Sequence, residues 1–143
     1  MVKGIRSIEI QAPVEKIYEF LTLPTNLVEI WPSMVEAKDL RKLPNGGYYF
    51  NWVYKMAGIR FEGSSEDIEV DPCHKVVSKS KGGIDSTITF TFEPQEAVTK
   101  VTFEVEYNIP IPLIGKLAET IIVRQNEHET EALLANLKTR MEA

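Results

Sequence analysis

The sequence is poor in the residues that would announce a chemistry. Its 143 residues hold one cysteine, Cys73, so no disulfide framework can form, and a reducing cytoplasm is the expected setting. Histidine is almost as scarce. His74 and His128, with Cys73, are too few and too scattered for a recognisable metal site, and neither metal nor cofactor is expected. No apolar run approaches the roughly 18 residues needed to span a bilayer, and the start MVKGIRSIEI lacks a signal-peptide core. There is no G-x-S-x-G elbow, no Ser-His-Asp signature and no phosphate-binding glycine loop. Positive charge is also in deficit. A net charge of −5 and a pI near 5.1 argue against a nucleic-acid partner. Charges of both signs are dispersed, so the acidity reads as solvation rather than a docking surface.

What is present is ordinary for a soluble globular protein: 43% hydrophobic and 26% charged residues. A chain of this length folds as a single domain over residues 1–143 and buries roughly 68–70% of its unfolded surface. No linker, repeat or low-complexity stretch divides it.

Hydrophobic periodicity orders the elements. Ile8 and Ile10 alternate with Glu9 and Gln11, predicting a first strand over about 3–11. Pro13 fits the first turn of a helix, and Val14, Ile17, Tyr18 and Leu21 follow at i, i+3, i+4, i+7. Pro24 stops that helix, and Leu27, Ile30 and Trp31 mark a second short one, closed by Pro32. Alternation then resumes and continues almost without pause. Strands are expected over 34–43, up to 56 after the Asn45-Gly46-Gly47 turn, and over 59–70. Others follow over 75–82, 84–92 and 101–109, each joined to the next by a short turn containing Gly, Pro, Asn or Asp. This is an antiparallel meander of about seven strands. The strand over 59–70 has an ambiguous phase, because Phe61 and Ile68 imply opposite registers, and a bulge near Gly63 would reconcile them. A long helix from about Leu113 to Met141 closes the chain. Ile114, Leu117, Ala118, Ile121, Gln125, His128 and Ala132 share one side, while Leu134, Leu137 and Met141 fall on roughly the other. The first half is therefore expected to cover the sheet, and the second to pack on the short helices or on a partner chain.

Three stretches in this order resemble one family. They are Ile10 to Tyr18 with Leu23-Pro24-Thr25-Asn26-Leu27 and Trp31-Pro32; Gly47 to Trp52 with Gly58; and Tyr107-Asn108-Ile109-Pro110 leading into the last helix, with Leu137-Lys138 near its end. Together they resemble the START-like, helix-grip (SRPBCC) superfamily, within it the polyketide-cyclase/dehydrase-like proteins. The resemblance implies an α+β helix-grip fold: a curved antiparallel sheet wrapped on a long C-terminal helix, with two short helices between strands one and two. Members include lipid carriers, hormone receptors and cyclases, so the fold does not carry a reaction with it.

A helix laid across a curved sheet leaves a concavity suited to an apolar small molecule. Phe50, Trp52, Tyr54, Phe90 and Tyr107 are the expected wall, in a fold where core and wall are one surface. Ser78, Ser80 and Ser86 share the inward phase and either bond a ligand or lie solvated at strand ends. Leu117, Ile121, Gln125 and His128 are the expected helix contribution, the last two either as partners for a polar head group or as residues of a solvent-exposed pocket mouth or a local bend. His128, His74, Glu62, Glu66 and Arg60 are the titratable candidates for acid–base chemistry, and none is assigned a catalytic role. The favoured function is carriage or sequestration of a lipid-, quinone- or polyketide-like molecule. A cyclase, aromatase or dehydratase is the rival reading. A third is a protein-interaction module using Leu134, Leu137 and Met141, with a homodimer as one form of it.

Overall fold

A computed structural model describes residues 2–56, 58–82, 84–108 and 111–143, with side chains in the last segment from 120 onward. The element order is β1 (Val2–Ile10), α1 (Val14–Thr22), α2 (Pro24–Ile30), β2 (Met34–Lys42), β3 (Tyr48–Met56), β4 (Ile59–Asp71), β5 (Lys75–Gly82), β6 (Asp85–Gln95), β7 (Val98–Asn108) and α3 (Ile111–Met141). The seven strands form one antiparallel sheet in the order β1-β7-β6-β5-β4-β3-β2, a meander with the first strand returning beside the last. This is the expected α+β helix-grip architecture, with two short helices between the first two strands.

Local chemistry explains the turns. At the β2–β3 hairpin, Gly46 takes a φ of +89°, which a residue with a Cβ rarely adopts. The Asn45 side-chain oxygen accepts the Gly47 amide at 2.8 Å, and the Leu43 amide donates to the Gly47 carbonyl at 2.8 Å. The ambiguous strand resolves as well. The register of β4 against β5 shifts between Asp67 and Glu69, so the irregularity sits at Ile68, which is 46% exposed, rather than near Gly63. Phe61, Ser65 and Asp67 all face inward ahead of it, and Glu62, Glu66 and Arg60 face outward.

The interior lies between the concave face of the sheet and its three helices. Ile10, Ile17, Ile30, Val101, Phe103, Leu133 and Leu137 are among its fully buried members. Thr99, 1% exposed, joins the sheet to the β1–α1 turn by donating its hydroxyl to the Ala12 carbonyl at 2.9 Å.

The face of α3 differs from the expected one. Ile122, Glu129, Thr130, Leu133, Leu134, Leu137 and Met141 are buried, an arc of roughly 140° at about 100° per residue. One continuous stripe thus runs down the helix from Ile122, its centre displaced by about 140° from the Ile121–Gln125–His128 line. Ile121 is 51% exposed and His128 is exposed, while Gln125 is half-buried and engaged by an interaction of its own. Leu134, Leu137 and Met141 pack in the chain's own core, which removes the surface that the interaction-module reading needed. The side chains of Ile114, Leu117 and Ala118, and residues Gly83, Ile109 and Pro110, lie outside the described residues.

The helix phase makes a direct prediction. Ile122→Ala should cost about 2–4 kcal/mol in urea unfolding, as expected for deleting a fully buried side chain, whereas Ile121→Ala should stay within about 0.5 kcal/mol of the parent. Comparable losses from both would place the wrong face of α3 against the sheet.

Candidate functional site

Two adjacent lobes occupy the concavity, with volumes of about 40 and 30 Å³. The outer lobe is floored by β3–β6 and roofed by Leu21, Thr22, Pro24 and Leu27 at the α1–α2 corner. The inner lobe is floored by β3, β5, β6 and β7 and roofed by Ile122 and Asn126 of α3. Trp31, Trp52, Tyr54, Ser80 and Ile88 line both. Part of the cavity is therefore covered by the α1–α2 corner rather than by the C-terminal helix.

The shared wall is aromatic. Trp52 packs on Tyr54 with ring centroids 4.8 Å apart, Tyr54 on Trp31 at 5.4 Å, Trp31 on Phe103 at 5.9 Å and Phe103 on Phe90 at 5.2 Å. Such offset and edge-on pairs add to the stabilisation that area burial alone provides. Trp52 can lie along the floor because its cross-strand partner is Gly63. A Cβ on Gly63 would sit 2.6 Å from Trp52 Cζ2 and would collide with the Lys81 carbonyl oxygen.

Polar groups break this surface at a few points. Trp52 Nε1 is buried and has no hydrogen-bond partner among the described residues, a costly state for an indole donor unless an acceptor reaches it. Ser65 and Ser80 are at least nine-tenths buried, and Ser86 is half-buried on the inner lobe. Asp67, 8% exposed, lines the outer lobe. Its Oδ1 accepts the Ser78 hydroxyl at 2.6 Å and its Oδ2 accepts the Tyr48 amide at 2.8 Å. Burial pushes the Asp67 carboxyl above its ordinary range, against the Ser78 and Tyr48 hydrogen bonds that hold it down. Burial likewise raises the Tyr54 phenol well above its usual value, with the Glu129 charge adding to the effect. Burial, and then the Glu127 charge, raises Tyr107 to about 12. Both phenols are neutral donors at physiological pH.

Of the ten residues expected at the site, Phe50, Trp52, Tyr54, Ser78 and Phe90 line the outer lobe and Tyr107 the inner one. Ile121 and His128 point to solvent, Gln125 lines neither lobe, and Leu117 lies outside the described residues. The acid–base candidates are elsewhere. His74 sits in the β4–β5 turn against the Pro72 carbonyl, and Arg60 pairs with Glu62 at 3.5 Å on the exposed face. Trp31, Ser65, Asp67, Ile122 and Asn126 join the site without having been anticipated. Asp67 was in phase with Phe61, Gly63 and Ser65, a signal that Ile68 obscured. Among the described residues no group of His, Cys, Asp and Glu could hold a metal.

The sequence matches the family described as polyketide cyclase / dehydrase and lipid transport over residues 1–142. The chain belongs to that family. Among solved structures, protein TTHA0849 from Thermus thermophilus superposes with a TM-score of 0.79 at 21% identity, covering 98% of this chain and 97% of that one. The ZhuI aromatase/cyclase from Streptomyces sp. R1128 gives 0.74 at 13% identity, with 99% and 96% covered. The di-domain aromatase/cyclase StfQ from the steffimycin biosynthetic pathway gives 0.79 at 17% identity, with 99% of this chain and 50% of that chain covered. At such identities these likenesses establish the helix-grip fold and no more. No curated protein matches the sequence.

Asp67 gives the site a pH signature. Its folded-state value lies above the unfolded one, so the folded chain binds the proton more tightly than the unfolded chain. The carboxyl therefore detracts from stability as pH rises from the unfolded value near 3.8 through the folded value. Asp67→Asn should gain on the parent across that interval when urea unfolding is followed from about pH 4 to 7. A difference that does not change with pH would mean that Asp67 titrates alike in both states. Gly63→Ala should be destabilised by about 1–3 kcal/mol, with the fluorescence of Trp52 shifted, because the ring or strand β5 must move; an unchanged spectrum would contradict the packing described.

Proposed function

We infer that this protein binds a hydrophobic or amphipathic small molecule in the two-lobed concavity, as a carrier or sequestering protein. One observation carries the reading: among the described residues the buried Trp52 Nε1 donor has no partner, in a side chain that lines both lobes of an aromatic cavity. Core packing alone would leave that donor at a cost, whereas a ligand oxygen would satisfy it. The affinity would come mainly from burying apolar surface, at about 25 cal/mol per Å², with a few orienting hydrogen bonds. The lobes as they stand are small, since an apolar cavity that takes up benzene measures roughly 150 Å³. Entry therefore requires side chains to move apart. No helix among the described residues is long and apolar enough to cross a membrane, and we place the protein in the cytoplasm. With a net charge of −5, no nucleic-acid role is proposed.

A specific observation favours a second reading. Asp67 is a titratable group on the cavity wall, with its proton affinity raised by burial, as a general acid or base of a cyclase or dehydratase would be. Both its oxygens already accept hydrogen bonds from Tyr48 and Ser78, however, and its backbone carbonyl accepts the Asn45 amide at 2.8 Å. Anchoring the β2–β3 hairpin accounts for that set, so the binding role is preferred.

Denaturing extraction of the purified protein followed by mass spectrometry should release a stoichiometric apolar or amphipathic compound. In parallel, Trp52→Ala should weaken a fluorescent apolar probe such as 1-anilinonaphthalene-8-sulfonate at least about tenfold, a loss in keeping with removing a large aromatic contact. An empty extract from a parent protein that also rejects the probe would end the binding reading.

A further inference from the structure

Beside the inner lobe lies a groove of about 70 Å³, with Gly4 and Arg6 of β1 on one side and Asn126 and Thr130 of α3 on the other. Val105, Tyr107 and Asn126 line both the groove and the inner lobe, so one layer of side chains separates the two spaces. Neither wall of the groove is built to fill it. On β1 the inward positions are Val2, Gly4, Arg6, Ile8 and Ile10, set opposite Tyr107, Val105, Phe103, Val101 and Thr99 of β7. Glycine inside a strand weakens it, and generally marks a bulge, a sharp bend or the close approach of another group. None of these applies to Gly4. Its register with β7 is unbroken, its φ is not positive, and a Cβ there would meet only Val105 Cγ1, at an ordinary 3.5 Å. On α3, Asn126 falls about 40° from Ile122, near the middle of the arc that the helix buries. It is nevertheless polar and only half-buried. A leucine there would be the better helix former and would seal the space.

We propose that the β1–α3 groove is the passage between solvent and the inner lobe, with Asn126 as the leaf that swings aside and Val105 and Tyr107 as its fixed frame. This rests on the binding reading above and adds how the site fills and empties. The frame is rigid because β7 pairs with β1 on one side and with β6 on the other. The helix is held from Glu129 onward, where Glu129 accepts the Ser33 amide, Asn136 donates to the Ile30 carbonyl and Lys138 donates to the Glu9 carbonyl. Turning one amide side chain to another rotamer therefore opens the partition without parting a strand pair or lifting α3. Arg6 on the groove wall pairs with Glu131 of α3 at 3.8 Å, with both side chains exposed. A pair of that kind is too weak to bar the way.

The test is kinetic. Stopped flow follows binding of the neutral fluorescent probe N-phenyl-1-naphthylamine to the full chain in the parent, in Gly4→Val and in Asn126→Ala. Gly4→Val plugs the groove from a strand position where valine is favoured, and Gly4 lines neither lobe. It should slow association and dissociation alike, by at least about fivefold, because a plug raises the barrier without altering the bound state. The Kd should then stay within about twofold of the parent value. Asn126→Ala removes the leaf and should speed both steps by about threefold or more. A urea midpoint for Gly4→Val no lower than the parent's certifies its fold; if the midpoint falls, Asn126→Ala decides alone. Parental rates in the folded Gly4→Val chain, or in Asn126→Ala, would overturn the proposal and leave the binding function standing. A change in Kd beyond twofold in Gly4→Val would make the groove part of the bound site and overturn it as well. Failure of the parent protein to bind the probe would overturn both the passage and the binding reading.

Discussion

The interior depends on how Trp31 is held. This residue ends α2, lines both lobes and stacks on Tyr54 and Phe103, so its position sets where one lobe stops and the other begins. It is fixed from both sides by α3. The Asn136 amide donates to the Ile30 carbonyl at 3.0 Å, and the Glu129 carboxylate accepts the Ser33 amide at 2.6 Å. Glu129 is 7% exposed, and removing a carboxylate from water is expensive unless charge-assisted hydrogen bonds offset it. A helix that needed only to cover the sheet would carry a leucine at that place. The cost is understandable if α3 must clamp the α2–β2 corner, because a loose Trp31 would let the aromatic wall collapse into the cavity.

The remaining architecture follows from a one-sided sheet. Its concave face must be covered, and three helices share the task unequally. Residues from Ile122 to Met141 cover one side, α1 and α2 the other, and the lobes lie where the covers meet. Across this seam the wall and the floor differ in chemistry. Aromatic rings from α2, β3, β6 and β7 supply area without hydrogen-bonding demands, apart from the indole and phenol groups. Hydroxyls from β4, β5 and β6 supply demands without much area. A core selected only for stability would have little use for those hydroxyls, since each hydroxyl in a core position forgoes a packed methyl group.

Most of this architecture can be read from the residues, because period-2 alternation bounded by Gly, Pro and Asn turns is a strong signal over seven consecutive strands. Phe50, Trp52, Tyr54, Ser78, Phe90 and Tyr107 reach the lobes for the same reason: once a strand's phase is known, its inward residues are known. Two failures have physical causes. Ile68 is an apolar residue that a bulge turns outward, and it masked the inward phase of Asp67. On α3, the Ile121–Gln125–His128 line is nearly as periodic as the true stripe from Ile122 to Leu137. Buried Glu129 and Thr130 make the true stripe look polar, and tertiary hydrogen bonding decided between two faces that hydropathy ranked wrongly. Trp31 was visible as a helix terminator, but its role arises from contacts over long sequence separations that no local pattern records.

Family membership narrows the function less than the site does. The same helix-grip frame serves both transport and cyclisation, as the family's own description states, so the distinction has to be argued from side chains. A cyclase would need a group that exchanges a proton with the substrate, and the described lobes offer one carboxyl, Asp67, whose oxygens are occupied by the hairpin it anchors. It would also need that group to be free to change partners during turnover, which would loosen the Asn45–Tyr48 turn each time. A binding protein needs neither. It needs a wall that tolerates a flat apolar body and a few fixed donors that do not titrate near neutrality. The Trp52 indole, the serine hydroxyls and the Tyr107 phenol, its proton held to about pH 12, meet that description. On the binding reading proposed above, these groups would recognise a ligand without exchanging protons with it.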